Sequence, residues 1–225
     1  MRQTFCRHSF PYVPFTFVNH PGSWEKFIKS TSDSLYEIAF WEQFLLIFEL
    51  SAALWVYITA FECTLREHLN LTLNSILRTN QWWNTSSLFS KRELRRINEY
   101  KSIYLSKRKA APSLQFQDIP SLSFWLTLIS NKYGHRIWRH FENQNPSLRS
   151  YGRRNFQQKT LIIKDLRNAI AHHAPILHRN LQRDLAYIQE LISLLSPPLA
   201  IALNKNSNAL SLIAQQKSTQ KVKNG

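Results

Sequence analysis

The chain is short of the residues from which most disulfide, metal and phosphate-loop sites are built. Two cysteines, Cys6 and Cys63, occur in 225 residues. That is too few and too scattered for a disulfide framework or a zinc site, and it fits a reducing cytoplasm. Only four glycines are present; no glycine-rich phosphate loop and no glycine-flanked serine of a nucleophile elbow can be traced. HExxH and CxxC are also absent. Acids are scarce, with 14 Asp+Glu against 29 Lys+Arg. Clustered carboxylates for Mg²⁺ are therefore hard to assemble, and neither a metal nor a cofactor is expected. The first residues carry Arg2 and Arg7 but then prolines and polar residues, so no signal peptide is read and a cytoplasmic location is expected.

What the chain does have is apolar bulk and positive charge. Hydrophobic residues make up 44% and aromatics 13%, enough for a folded core in one main domain. Few glycines and long helical periodicity predict an all-α fold. A formal net charge of +15 favours a polyanionic partner, nucleic acid ahead of a membrane surface. The most apolar passage, 44–61, approaches the length of a bilayer span. Glu49 lies in its middle, where a carboxylate is costly in a membrane, and Glu42 and Glu62 flank it. It is read as a buried central helix, with no membrane.

In chain order, Pro11, Pro14, Pro21 and Gly22 mark residues 1–22 as an extended N-terminal arm. The helical domain spans 23–203, its first helix capped by Ser23, and 204–225 is a basic tail expected to fray. A long helix is predicted over 34–74, either continuous or broken near its middle. Glu62 and Arg66 form an i,i+4 pair there, either a solvated ion pair or a partly buried tie between helices. A loop covers 80–90. Ser90, with Glu93 at the capping-box position, opens the next helix. That helix carries Arg92, Arg95, Arg96, Lys101, Lys107, Arg108 and Lys109, the candidate RNA-binding face, with a solvated charged helix as the plainer alternative. After a linker at 110–120, a helix is expected over 121–139, basic from Lys132 onward, then a polar loop at 143–150. The last helix is expected over 180–196, stopped by Pro197-Pro198.

The chemistry concentrates in Arg167-Asn168-Ala169-Ile170-Ala171-His172-His173. Apolar spacing over 161–177 predicts a helix, and Pro175 places the histidines at its end or at a kink. Arginine binds phosphoryl oxygens bidentately, and imidazole serves as acid or base near neutral pH. RNA supplies its own nucleophile, the 2′-hydroxyl, so metal-free cleavage needs no more than these groups. On a straight helical wheel, Asn168 and His172 share the polar side, His173 falls within the apolar face, and Arg167 stands apart. His172 is then the better catalytic candidate and His173 a core or interface histidine. The poor convergence of Arg167 on His172 is a reason to expect a homodimer with a composite site.

Leu166-Arg167-Asn168-Ala169-Ile170-Ala171-His172-His173-Ala174-Pro175-Ile176 resembles the LRNxIAHHEPI signature of the Abi-like (abortive infection) proteins of the HEPN superfamily. Leu50-Ser51-Ala52-Ala53-Leu54 with Phe61-Glu62 and Leu65-Arg66 is similar to that family's LSAA…FE..LR block. Ser121-Leu122-Ser123-Phe124-Trp125, leading to Tyr133 and Trp138, resembles a second block, and Arg183-Asp184-Leu185 and Leu194-Leu195-Ser196-Pro197 follow in order. The likeness covers roughly 34–203. It departs at Ala174, in place of the glutamate of HHEPI, at Ser121, in place of a glutamate, and after Phe124, where a glycine is missing. The resemblance implies a HEPN-like helical bundle with long central helices, dimeric, acting as a metal-independent endoribonuclease in phage defence or as a toxin. Arg167, Asn168, His172 and His173 would be its catalytic set. An antitoxin protein or a guide or regulatory RNA is a possible further partner. A non-catalytic RNA-binding or partner-binding module is the alternative.

Overall fold

Helix α1 (Ser34–Leu77) runs through the core, and the helices at 122–128, 139–144, 153–171, 181–195 and 209–223 all pack against it. The computed structural model describes residues 34–223. The arm at 1–22 and the helix expected from Ser23 lie outside the described residues. Helix α1 is unbroken, since it holds no proline or glycine to interrupt the backbone ladder. Its inner face buries Leu50, Leu54, Phe61, Leu65, Leu69 and Leu73 completely. Each such side chain contributes about 1.5–3 kcal/mol of apolar burial. By length and composition, Phe44–Leu77 is the one stretch among the described residues apolar enough to cross a membrane, and 39% of its most apolar window is buried inside the fold. Trp41, Leu45, Trp55, Val56 and Leu71 remain exposed along it.

The remaining helices are α2 (Lys91–Arg108), α3 (Leu122–Leu128), α4 (Arg139–Gln144), α5 (Ser147–Tyr151), α6 (Arg153–Ala171), α7 (Leu181–Leu195), α8 (Pro197–Asn206) and α9 (Ala209–Lys223). No strand occurs among the described residues, so the all-α expectation holds. Helices α6 and α7 pack on α1 and on each other. Leu181, Leu185, Ile188, Leu191, Ile192 and Leu195, at helical spacing along α7, are all buried. Lys159 on α6 ties to Glu190 on α7 at 2.6 Å, and its ammonium lies over the rings of Tyr151 and Tyr187.

Several local expectations are corrected. The expected loop at 80–90 contains a 3₁₀ turn (Trp82–Asn84) whose Trp82 is fully buried against Phe89, Phe116, Phe124 and Trp125, its indole N–H donating to Asn70 at 2.9 Å. The linker at 110–120 likewise holds a 3₁₀ turn (Phe116–Asp118), boxed by Gln115 and Asp118. The helix expected over 121–139 breaks after Leu128. Ser130 donates its hydroxyl to the Thr127 carbonyl, a side-chain competitor of the helix ladder. A 3₁₀ turn (Asn131–Tyr133) and a π-helical turn (Gly134–Trp138) follow before α4. The loop expected at 143–150 includes α5.

The Ser90–Glu93 capping box does not form. Glu93 is buried, and instead of accepting from the Ser90 backbone N–H, which donates to the Tyr133 hydroxyl, it accepts from the Ser90 hydroxyl, from Lys132 at 2.7 Å and from Tyr133 at 2.9 Å. Pro197-Pro198 ends α7 but also starts α8, where prolines in the first turn cost no hydrogen bond. Where a fraying tail was expected, α9 lays Ala209, Leu212, Ile213 and Gln216 into the core against α1.

Candidate functional site

The Arg167–His173 run occupies the last turn of α6 and its cap. The helix stops at Ala171. His172 is the C-cap (φ −99°, ψ 13°), and His173 takes a left-handed backbone with φ 53°. The His173 amide donates to the Ile170 carbonyl at 3.0 Å and the Ala174 amide to the Ala169 carbonyl at 2.8 Å. This pair of bonds is a Schellman motif, with histidine where glycine is usual. A non-glycine residue there carries backbone strain, though histidine visits this region more readily than most.

The cap corrects the placement of His173. On the wheel it faced the core, but the wheel continued a helix that has already ended. Both His172 and His173 are exposed. Ile176, two residues past Ala174, re-enters the core. The segment after it is clasped by Asp184, which is fully buried at the start of α7. Arg179 donates to its Oδ2 at 2.8 Å and Arg183 to its Oδ1 at 2.9 Å, while Arg179 also reaches the Ile162 carbonyl of α6 at 3.3 Å. The histidine turn is thus bracketed by a backbone motif on one side and a buried ion-paired clasp on the other.

Arg167 and Asn168 lie one turn before the cap, both half-buried. The Arg167 Nη1 donates to Asn168 Oδ1 at 3.4 Å, and the guanidinium lies 5.8 Å from the Trp55 ring centroid. Its buried Nε is 3.8 Å from Glu62 Oε2 and makes no hydrogen bond. Glu62, 7% exposed, is also bonded to Arg66, whose Nη1 reaches the Asp118 carbonyl at 3.5 Å. So Glu62–Arg66 is the buried tie rather than the solvated pair. One carboxylate faces two guanidiniums, so the cluster keeps a net positive charge. Attraction to Glu62 and to the Trp55 ring fixes the inner edge of Arg167.

Glu62 and Trp55 were not singled out as parts of this site in the sequence. A carboxylate at the end of a strongly apolar run was the available signal, because a buried acid needs a cation and Arg66 alone lies in register.

The seven candidate RNA-binding cations on α2 and at its C-cap, Lys109, are not brought to this site. Helix α2 packs chiefly on the 3₁₀ turns at Trp82–Asn84 and Phe116–Asp118. Arg92, Arg95, Lys107, Arg108 and Lys109 are exposed and Lys101 is half-buried. Arg96 is engaged internally: it lies over the rings of Tyr100 and Phe124 and donates to Tyr100 and Ser121. No cluster of three or more His, Cys, Asp or Glu side chains suited to a metal ion occurs among the described residues.

What the arrangement offers chemically is an exposed imidazole at a defined helix end, one turn from a half-buried guanidinium and amide. No family model, curated protein or solved structure matches the chain, so its likeness to the Abi-like proteins rests on the residue blocks quoted above.

Proposed function

We propose that the chain is a metal-independent endoribonuclease with a HEPN-like fold, of the kind used in phage defence or as a toxin. The observation that carries this reading is the end of α6, where His172 is exposed, bonds no other side chain among the described residues, and follows Arg167 and Asn168 by one turn. In this reading His172 removes the proton of the RNA 2′-hydroxyl or protonates the departing 5′-oxygen. The 2′-oxygen bonds to phosphorus, the P–O5′ bond breaks, and a 2′,3′-cyclic phosphate remains. Arg167 holds the phosphoryl oxygens, Asn168 orients the histidine or the phosphate, and His173 supports the turn. The reaction needs both a base and an acid, and a second copy across a two-fold axis supplies the second imidazole. Exposed Trp55 and Val56 on α1, Trp55 being the residue under Arg167, favour such a homodimer. An antitoxin protein or a regulatory RNA would be a further partner, and the cytoplasm its place of action.

The contacts of Arg167 with Glu62 and Trp55 favour one other reading, in which the arginine is structural and the chain binds RNA or a partner without cutting. Incubation with total RNA in EDTA separates the two. Cleavage by the wild type that His172→Ala abolishes supports the ribonuclease. Salt-dependent binding without cleavage supports the module, and full activity in His172→Ala would sink the assignment.

A further inference from the structure

A second group of unengaged basic side chains lies on neither α2 nor the histidine turn. It lies where the π-helical turn runs into α4. Ile137, Trp138 and Phe141 point into the core there, which leaves His135, Arg136, Arg139 and His140 together on the exposed side. None of the four makes a hydrogen bond or ion pair among the described residues. The start of α6 is fastened to the same place. Arg153 Nε lies 3.7 Å from the position a Cβ would take on Gly134, its Nη2 donates to Asn131 at 3.0 Å, and Arg154 beside it is exposed and unpaired. Across residues 131–164 the only acid is Glu142, and its carboxylate is occupied by the Trp138 indole at 2.7 Å.

This patch is continuous with the histidine turn. Arg154, Gln158, Leu161 and Asp165 are exposed at alternating spacings of four and three, and the same progression continues to half-buried Asn168 and exposed His172. One face of α6 therefore joins the two. Arg154 and His172 are 18 residues apart, about 27 Å along a helix at about 1.5 Å per residue. A stacked strand with about 3.4 Å per phosphate, the spacing along one strand of a duplex, covers that distance in about eight nucleotides, and a more extended strand in fewer.

We propose that the face formed by His135, Arg136, Arg139, His140, Arg153 and Arg154 is an RNA-docking surface that holds the substrate about eight nucleotides from the Arg167–His172 site. This rests on the ribonuclease reading for the site but not for the surface. The chemistry selects a polyanion, because none of these cations is paired with a carboxylate, Arg153 being held only by the neutral Asn131 and Gln157, and almost no acid lies nearby. It selects RNA over an anionic bilayer, because no large exposed apolar side chain lies within 131–154 to insert among lipids. The consequence is a length threshold: an RNA shorter than the span cannot use both places at once, and a longer one gains from both.

The test uses the full chain and labelled single-stranded RNAs of 20 and 4 nucleotides, with binding read by fluorescence anisotropy from 50 to 300 mM KCl. The double variant Arg136→Ala/Arg139→Ala is expected to bind the 20-mer less tightly. Its slope of log affinity against log salt should fall by about 1.4, from two phosphate contacts of about 0.7 each. Its affinity for the 4-mer, which occupies only one of the two places at a time, should fall by a smaller factor than that for the 20-mer, and Lys205→Ala, exposed on α8, should leave both values as in the wild type. An unchanged slope for the 20-mer overturns the proposal. So does a double variant that loses only its binding to phosphatidylserine vesicles. Cleavage scored in the same samples keeps the two ideas apart. A wild type that never cuts, beside a weakened double variant, removes the ribonuclease and leaves the docking surface. A wild type that cuts, beside a double variant of unchanged slope, does the reverse.

Discussion

Replacing Glu93 with glutamine removes one charge from a side chain that is 3% exposed and receives three donors, Ser90, Lys132 and Tyr133. Burial by itself would raise this carboxyl's pKa. The hydrogen bonds from Lys132, Ser90 and Tyr133 together outweigh burial, with help from the Lys132 charge, and hold it at about 2 against an ordinary 4.5. A depressed carboxylate contributes stability that is complete above the unfolded pKa and is lost as pH falls through the folded one. At about 1.36 kcal/mol per unit, the contribution is about 3 kcal/mol at pH 7, about 1 at pH 3 and close to zero at pH 2. Glu93→Gln should therefore unfold about 6–12 °C below the wild type at neutral pH, taking about 2–4 °C per kcal/mol for a chain of this size. Urea melts followed by tryptophan fluorescence at pH 7, 4 and 3 measure the gap directly. Other carboxylates titrate in both proteins and cancel in the difference. A gap that stays constant from pH 7 to pH 3 would refute the reasoning, because a charge-independent packing defect has no reason to fade with acid.

Other substitutions probe the rest of the framework. His173→Gly relieves the left-handed backbone at φ 53° that His173→Ala, which loses the same side chain, retains, so the glycine variant should be the more stable of the two by about 1 kcal/mol or less, a Tm difference of up to about 4 °C; an alanine variant with the higher Tm would refute a strained cap. Asp184→Asn leaves Arg179, and the half-exposed Arg183, facing a neutral group at a fully buried position and should lower Tm, with faster amide exchange at Arg179 and Leu181; an unchanged Tm would refute the clasp. On α2, Arg95→Ala should weaken RNA binding while leaving Tm unchanged. Arg96→Ala should do the opposite, because its guanidinium is committed to Tyr100, Phe124 and Ser121; equal effects in anisotropy and melting would contradict that division.

The elements legible in the sequence are those that depend on local periodicity. The α7 stripe from Leu181 to Leu195 and the inward set Leu122, Trp125, Leu126, Leu128 and Ile129 are buried as their spacing requires. Element ends were less legible. Pro175 correctly signalled that α6 stops near the histidines, but its last residue is fixed by two backbone hydrogen bonds, and with His173 in place of glycine the sequence carries no marker of them. A wheel drawn two residues too far then turned His173 inward. The break after Leu128 depends on the Ser130 hydroxyl outcompeting the helix ladder, a local contest with a small margin. Glu62 was visible as the i,i+4 partner of Arg66. That it also faces Arg167, 105 residues later, follows only from the packing of α6 on α1.

The scarcity of acid takes on a specific meaning once the carboxylates are located. Glu62, Glu93 and Asp184 are buried, and each is bonded to more than one side chain from its surroundings. Glu142 and Glu190 are occupied as well, by Trp138 and Lys159. The chain thus spends much of its small stock of negative charge as internal fasteners. A buried anion is screened from approaching ligands by the cations that hold it, whereas Arg136, Arg139, Arg154 and the α2 cations Arg92 and Arg95 stand in solvent. The outward field is therefore more uniformly positive than a formal charge of +15 conveys. A charge present only for solubility has no need of this segregation, since surface acids would not harm it. A chain that gathers a polyanion does, because each exposed carboxylate on the approach would repel a phosphate. Glu42, Glu49, Glu67, Glu99 and Asp118 are exposed as well, but Asp165, 3.8 Å from the Lys164 ammonium, is the one that lies on the α6 face between Arg154 and His172 and so puts this argument at risk. Asp165→Asn should tighten binding of the 20-nucleotide RNA at 50 mM KCl and lose that advantage at 300 mM. Unchanged affinity at low salt would mean that the strand does not follow this face of α6.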